Sequence, residues 1–169
     1  EKVAINAVLA GCRPEYLPVV LAAVEAACTD AFNMPGLLAT TRSAGPMVVV
    51  SGPIARDISM NDGMGALGQG NRANATIGRA LNLVVRNVGG GRPGGVDRAT
   101  LGNPGKYTFC FAETPPPDAD WPNQASEMGL DPADSAVTLV AAEGVRGIID
   151  QLSRTPESLA KSFAEVLAT

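Results

Sequence analysis

The chain has 169 residues, a formal net charge of −4, 46% hydrophobic and 18% charged residues, which fits one globular domain with a core of its own. The acidic balance argues against nonspecific nucleic-acid binding, and no apolar run approaches the roughly 20 residues that cross a bilayer. Aromatics are 4% while Gly and Pro number 19 and 13, so the core must be aliphatic and the loops long.

In chain order, apolar spacing over 3–9 predicts a helix ended by Gly11. Pro14 suits the first position of a second helix over 14–28, since its missing N–H has no helical partner to lose. Leu17, Val20, Leu21, Val24 and Cys28 share one face of that helix. Residues 36–42 and 46–51 read as strands, the latter with a Val48-Val49-Val50 run suited to cover on both sides. The strongest helix signal is 73–88, with Ile77, Ala80, Leu81, Val84, Val85 and Val88 inward. Strands over 107–112 and 136–142 follow. A last helix begins at Thr155-Pro156-Glu157, with a hydroxyl cap, a first-turn Pro and an acid at the positive end of the dipole. The expected fold is therefore α/β, a mixed sheet of about four short strands with helices packed on it. The Pro115-Pro116-Pro117-Asp118 run reads as a stiff surface loop anchored by Trp121.

Chemistry is constrained first by what is missing. Without histidine, the chain cannot itself supply a Ser-His-Asp or Cys-His pair, a His-ligated zinc or an imidazole base. Cys12, Cys28 and Cys110 are odd in number and lack C-x-x-C spacing, so free thiols in a reducing, cytoplasmic setting are expected and no metal site is. Cys28 and Cys110 read as core residues. Cys12 lies between Gly11 and Arg13-Pro14, where Arg13 and a helix dipole could lower its pKa, and is the candidate nucleophile; a small buried residue is the competing reading.

The candidate binding segment is the loop 61–70 and the helix start after it. Gly63, Gly65, Gly68 and Gly70 crowd this loop. Gly68-Gln69-Gly70-Asn71-Arg72-Ala73 matches G-x-G-x-x-A, but the preceding strand ends too early for a dinucleotide fold, and no G-K-[ST] follows. Two readings stay open, an anion site and tight backbone packing. Asn61, Gly68, Gly70, Asn71, Arg72, Asn74, Thr76, Arg79 and Tyr107 are the ligand-binding candidates. Arg72 opposes the dipole there and calls for an anion. Arg72, Arg79 and Arg86 recur every seven residues along one helix face, which reads as a solvated polar face opposite the apolar stripe, with Arg72 the exception. From 72 to 106 six basic residues face Asp97 alone, and 107–135 holds six acids and no base. That asymmetry reads either as surface composition or as a basic site facing an acidic flap or partner, which Lys106 and Tyr107 would close. Glu113, at a strand end, is the candidate general base, with solvated capping as the alternative.

Three segments carry a family resemblance: Val3-Ala4-Ile5-Asn6-Ala7-Val8 with Ala10-Gly11-Cys12-Arg13-Pro14-Glu15-Tyr16, then Gly70-Asn71-Arg72-Ala73-Asn74-Ala75-Thr76-Ile77-Gly78-Arg79-Ala80, then Gly102-Asn103-Pro104-Gly105-Lys106-Tyr107. Together they resemble the bacterial UGSC-motif family, named for a selenocysteine- or cysteine-Gly-Ser-Cys motif. The resemblance implies thiol or selenol chemistry on a small molecule. No Cys-Gly-Ser-Cys segment occurs in this chain.

The combined expectation is a single α/β domain, a processed piece or subunit of a larger protein given its Glu1 start and unterminated last helix. It would bind an anionic or carboxylate-bearing small molecule, with thiol chemistry from Cys12 or a partner segment and Lys106 and Glu113 as further catalytic candidates. The alternatives are a non-redox hydrolase or lyase acting on an amide-like group, and a structural subunit. No particular cofactor is indicated; another protein chain or identical subunits are the expected partners.

Overall fold

A computed structural model describes residues 1–114, 122–131 and 133–168; the expected proline loop and Trp121 lie outside them. The elements run α1 (Lys2–Ala10), a 3-10 turn (Pro14–Tyr16), α2 (Leu17–Ala27), α3 (Met34–Ala39), β1 (Gly45–Ser51) and α4 (Pro53–Asp57). After these come α5 (Arg72–Asn87), a 3-10 turn (Pro104–Lys106), β2 (Cys110–Glu113), α6 (Gln124–Glu127), β3 (Ala136–Ala142) and α7 (Pro156–Leu167). No helix among the described residues is long and apolar enough to cross a membrane.

The fold is α/β with a mixed sheet in the order β2-β1-β3. β1 runs parallel to β2, pairing Val48 with Cys110, and antiparallel to β3, pairing Val49 with Thr138. A parallel pair needs a crossover between its strands, and α5 lies in that connection. Central placement explains why β1 is apolar in succession: Val48 and Val50 are wholly buried on one face and Val49 is buried on the other. Behind the sheet, α1, α2 and α5 close one core, with Val20, Ile77 and Leu81 among its fully buried side chains. Each contributes about 2 kcal/mol by leaving water.

Helix ends follow local chemistry. Gly11 terminates α1 in the left-handed region at φ 92°. Asn71 caps α5, its Oδ1 accepting the Asn74 N–H at 3.0 Å. Thr155 and Ser158 form a capping box at α7. Gly52, at φ 87°, turns the chain out of β1 so tightly that a Cβ there would collide with the Asp134 carbonyl oxygen.

Several expectations are corrected. Residues 36–42 do not form a strand, which leaves three strands among the described residues. They belong largely to α3, because Asn33 enters the left-handed region at φ 52° and its side chain accepts the Gly36 N–H, with Pro35 in the first turn. β2 starts at Cys110 rather than 107, since Asn103 accepts the Gly105 N–H and winds Pro104–Lys106 into a turn. On α2 the buried stripe is Val19, Val20, Ala23 and Ala27, leaving Leu21 and Cys28 exposed. Cys28 is therefore not a core residue. On α5, Ile77, Ala80, Leu81 and Val84 are buried as expected, while Val88 is exposed.

Candidate functional site

The candidate residues fall into four separate settings. In the first, Asn61, Asn71 and Asn74 knit the glycine loop to the start of α5. Asn74 Oδ1 accepts the Asn61 N–H at 3.0 Å, and its Nδ2 donates to the carbonyls of Asn61 and Ala66 at 2.8 and 3.0 Å. Asn71 Nδ2 donates to the Ser59 carbonyl at 2.8 Å, while Asn61 closes its own turn on Met64 and Gly63. These side chains spend their hydrogen bonds on backbone, and the first turn of α5 is capped from within the chain.

In the second setting, Cys12, Arg72 and Thr76 join the end of α1 to α5. Arg72 Nε donates to the Gly11 carbonyl at 3.0 Å, Thr76 Oγ1 to the Arg72 carbonyl at 2.8 Å, and Cys12 Sγ to the Thr76 carbonyl at 3.3 Å. The Cys12 thiol is not activated as expected. Burial pushes its pKa above the ordinary value, and the hydrogen bond at Thr76 and the charge of Arg72 oppose this more weakly. Cys110 is buried and burial pushes its thiol higher still.

The third setting is Glu113, where β2 ends beside β1. It accepts the Ser51 hydroxyl at 2.9 Å on Oε2, and the Gln124 N–H at 3.1 Å from each carboxylate oxygen. Its neighbour Thr114 bonds to Asp62. Glu113 thus holds the first turn of α6 against the end of β1, a capping arrangement.

The fourth setting is concave. A groove of about 850 Å³ runs between α3, the outward face of α5 and the 91–107 segment, a size suited to a small organic ligand. Leu37, Leu38, Pro46, Leu83 and Val85 supply its apolar side. Arg79, Arg86 and Lys106 supply its cations, Asp97 is the only acid in its lining, and Tyr107 and Leu101 border it. Lys106 Nζ and Asp97 Oδ1 are 2.7 Å apart, their side chains 15% and 11% exposed, so this lysine is a neutralised partner in the wall. Arg79 and Arg86 have no ion pair or hydrogen bond through their side chains among the described residues. They lie seven residues apart, roughly 10 Å along the helix, and set the sign of the groove.

A second groove of about 720 Å³ lies across the Pro104–Lys106 turn and is lined by Gly68, Asn74, Thr108 and Glu143. Asn103 borders both grooves. Its Nδ2 donates to the carbonyls of Ser43 and Ala142 and its Oδ1 accepts the Gly105 N–H. The structure therefore brings Arg79, Lys106 and Tyr107 together, puts Gly68 and Asn74 in the neighbouring groove, and leaves Cys12, Asn61, Gly70, Asn71, Arg72, Thr76 and Glu113 outside both linings. Sequence reasoning did not single out Arg86, which lines the groove, although its seven-residue spacing from Arg79 carried the signal. It had none for the Leu37-Leu38 wall, which depends on α3 being helical.

Comparison with protein-family models, curated proteins and solved structures finds no match for this chain.

Proposed function

We propose that this chain is the ligand-binding domain or subunit of a small-molecule enzyme, and that its groove between α3, α5 and the 91–107 segment takes an anionic, carboxylate-bearing ligand. The observation that carries this reading is the pair Arg79 and Arg86, two guanidiniums with no side-chain partner among the described residues, on a groove whose single acid among those residues, Asp97, is already matched by Lys106. Guanidinium presents paired donors that fit a carboxylate. Because Cys12 lines neither groove, the thiol chemistry in this reading is completed by a partner chain. Three free cysteines favour a reducing, cytoplasmic compartment.

The test is a calorimetric titration with succinate, hexanoate and inorganic phosphate. Saturable binding of at least one, weakened tenfold or more by Arg79→Ala/Arg86→Ala at unchanged melting temperature, supports the reading. Absence of binding, or binding indifferent to the two arginines, overturns it.

A second reading is favoured by one observation. No residue of α7 is buried, and Leu159, Phe163 and Leu167 on it are exposed, which suits a subunit that packs on another chain. Native mass measurement separates the two: an obligate complex that binds none of the three anions supports the packing subunit.

A further inference from the structure

The groove at Arg79 and Arg86 is lined by two chemically different sets of side chains. One is cationic, on α5. The other is apolar: Leu37 and Leu38 of α3, both buried, with Pro46 and, in sequence between the two arginines on α5 itself, Leu83 and Val85. Gly91 backs closely on this side: a Cβ there would lie 2.9 Å from Val85 Cγ1 and 3.0 Å from Leu38 Cδ1. At the border stand two large side chains in water, Leu101 at 94% exposure and Tyr107 at 74%.

A fully hydrated ligand such as phosphate or a short dicarboxylate would use the arginines and polar lining groups such as Asn82, Thr100 and the Tyr107 hydroxyl, and would leave the apolar lining in water. Exposed Leu101 and Tyr107 beside an apolar wall offer area that a ligand with a hydrocarbon body can remove from water. Resting on the anion reading of the same groove, we propose that its ligand is an amphipathic anion, an acyl or aryl carboxylate. Its charged end meets Arg79 and Arg86, and its apolar body lies along Leu37, Leu38 and Leu83 beneath Leu101 and Tyr107. The cationic side fixes orientation, and the apolar side selects for length.

The test is a homologous series, butanoate, hexanoate, octanoate and decanoate, each below its micelle-forming concentration, with 1-octanol as the uncharged control. Affinity rises about two- to fourfold per methylene as each CH₂ leaves water, and octanoate binds at least tenfold more tightly than 1-octanol. Leu101→Ser/Tyr107→Ser flattens the dependence on length, and Arg79→Ala/Arg86→Ala brings octanoate down to the level of 1-octanol. Succinate or phosphate binding as tightly as decanoate, still dependent on the arginines, overturns the amphipathic ligand and leaves the anion reading standing. Failure of every anion to bind overturns both. A length dependence that survives loss of the arginines assigns the binding to other exposed apolar surface and also overturns the proposal.

Discussion

Asn74 holds Asn61 by both ends of its backbone, accepting the N–H on Oδ1 at 3.0 Å and donating to the carbonyl through Nδ2 at 2.8 Å. The second Nδ2 proton goes to Ala66, so one buried side chain fixes both flanks of the glycine-rich turn. Asn74→Asp keeps the shape and the acceptor but sets an oxygen against two carbonyls. It is expected to cost about 2–4 kcal/mol in urea unfolding, because buried polar groups lose their partners. Asn74→Ala lowers stability less, and both speed amide exchange over 61–66. An unchanged unfolding midpoint in Asn74→Asp would show that the loop is held by something else.

Lys106 and Asp97 make the second prediction. Their pair is largely out of water, and Asp97 also accepts the Ala99 N–H at 3.1 Å. Lys106→Met leaves the largely buried Asp97 carboxylate without its paired cation and should cost about 3 kcal/mol. The double variant Lys106→Met/Asp97→Asn recovers part of that loss, since no unpaired charge remains. Chemical denaturation of the wild type, both single variants and the double variant gives the coupling. Purely additive losses would mean that the ion pair contributes nothing.

Periodicity carried most of the architecture, because it reports which face is buried. β1 and β3 follow from their Val-rich runs and α5 from Ile77, Ala80, Leu81 and Val84. The 36–42 segment misleads because Leu37-Leu38 has no period in so short a run, and the deciding element is the left-handed Asn33 ahead of Pro35. That single error also hid the apolar side of the groove. Spacing and charge singled out Arg79, Lys106 and Tyr107, which line one groove. They could not separate these from Arg72, whose Nε is tied to the Gly11 carbonyl sixty-one residues away in sequence. The glycine loop was readable as a special backbone, but not as one tied down by Asn61, Asn71 and Asn74.

Gly78 sits inside α5, where alanine is ordinarily the better helix former by about 1 kcal/mol. Here a Cβ would lie 2.6 Å from Thr108 Oγ1, 2.8 Å from the Phe109 amide nitrogen and 3.1 Å from Cys110 Cβ. Helix and strand approach too closely for a methyl group, so Gly78→Ala should destabilise by about 1–3 kcal/mol despite its propensity gain. Denaturant titration checks the sign. A stabilised variant would mean that α5 can move off β2 at little cost.

The three thiols should separate by reactivity. Cys28 is exposed, Cys12 half-buried and Cys110 buried, so iodoacetamide at neutral pH labels Cys28 first, Cys12 slowly, and Cys110 only on unfolding. Peptide mass spectrometry over time reads the order. Burial raises the Cys12 and Cys110 pKa values above the ordinary 9.0. The unfolded chain therefore loses those protons first as pH rises, and stability falls above pH 9.0. Cys110→Ala makes that alkaline loss shallower. A Cys12 that labels faster than Cys28 at neutral pH would restore it as an activated nucleophile.

Asp150 organises the segment ahead of α7. Its Oδ1 accepts the Leu152 and Ser153 N–H groups at 2.9 and 2.8 Å, and its Oδ2 accepts the Ser153 and Ser162 hydroxyls, each at 2.6 Å. These donors, Ser153 foremost, hold the carboxyl well below its ordinary 3.8. A depressed folded pKa means that the contribution is complete above pH 3.8 and fades as pH falls below it toward the folded value. A carboxyl NMR titration should show Asp150 still ionised below pH 3.8, with its pKa raised in Ser162→Ala. Because no α7 residue is buried, Asp150→Asn should speed amide exchange across 152–167 and leave the unfolding midpoint of the core unchanged. A shift of the core midpoint would show that α7 is coupled to the sheet, and would count against its role as a separate packing surface for another chain.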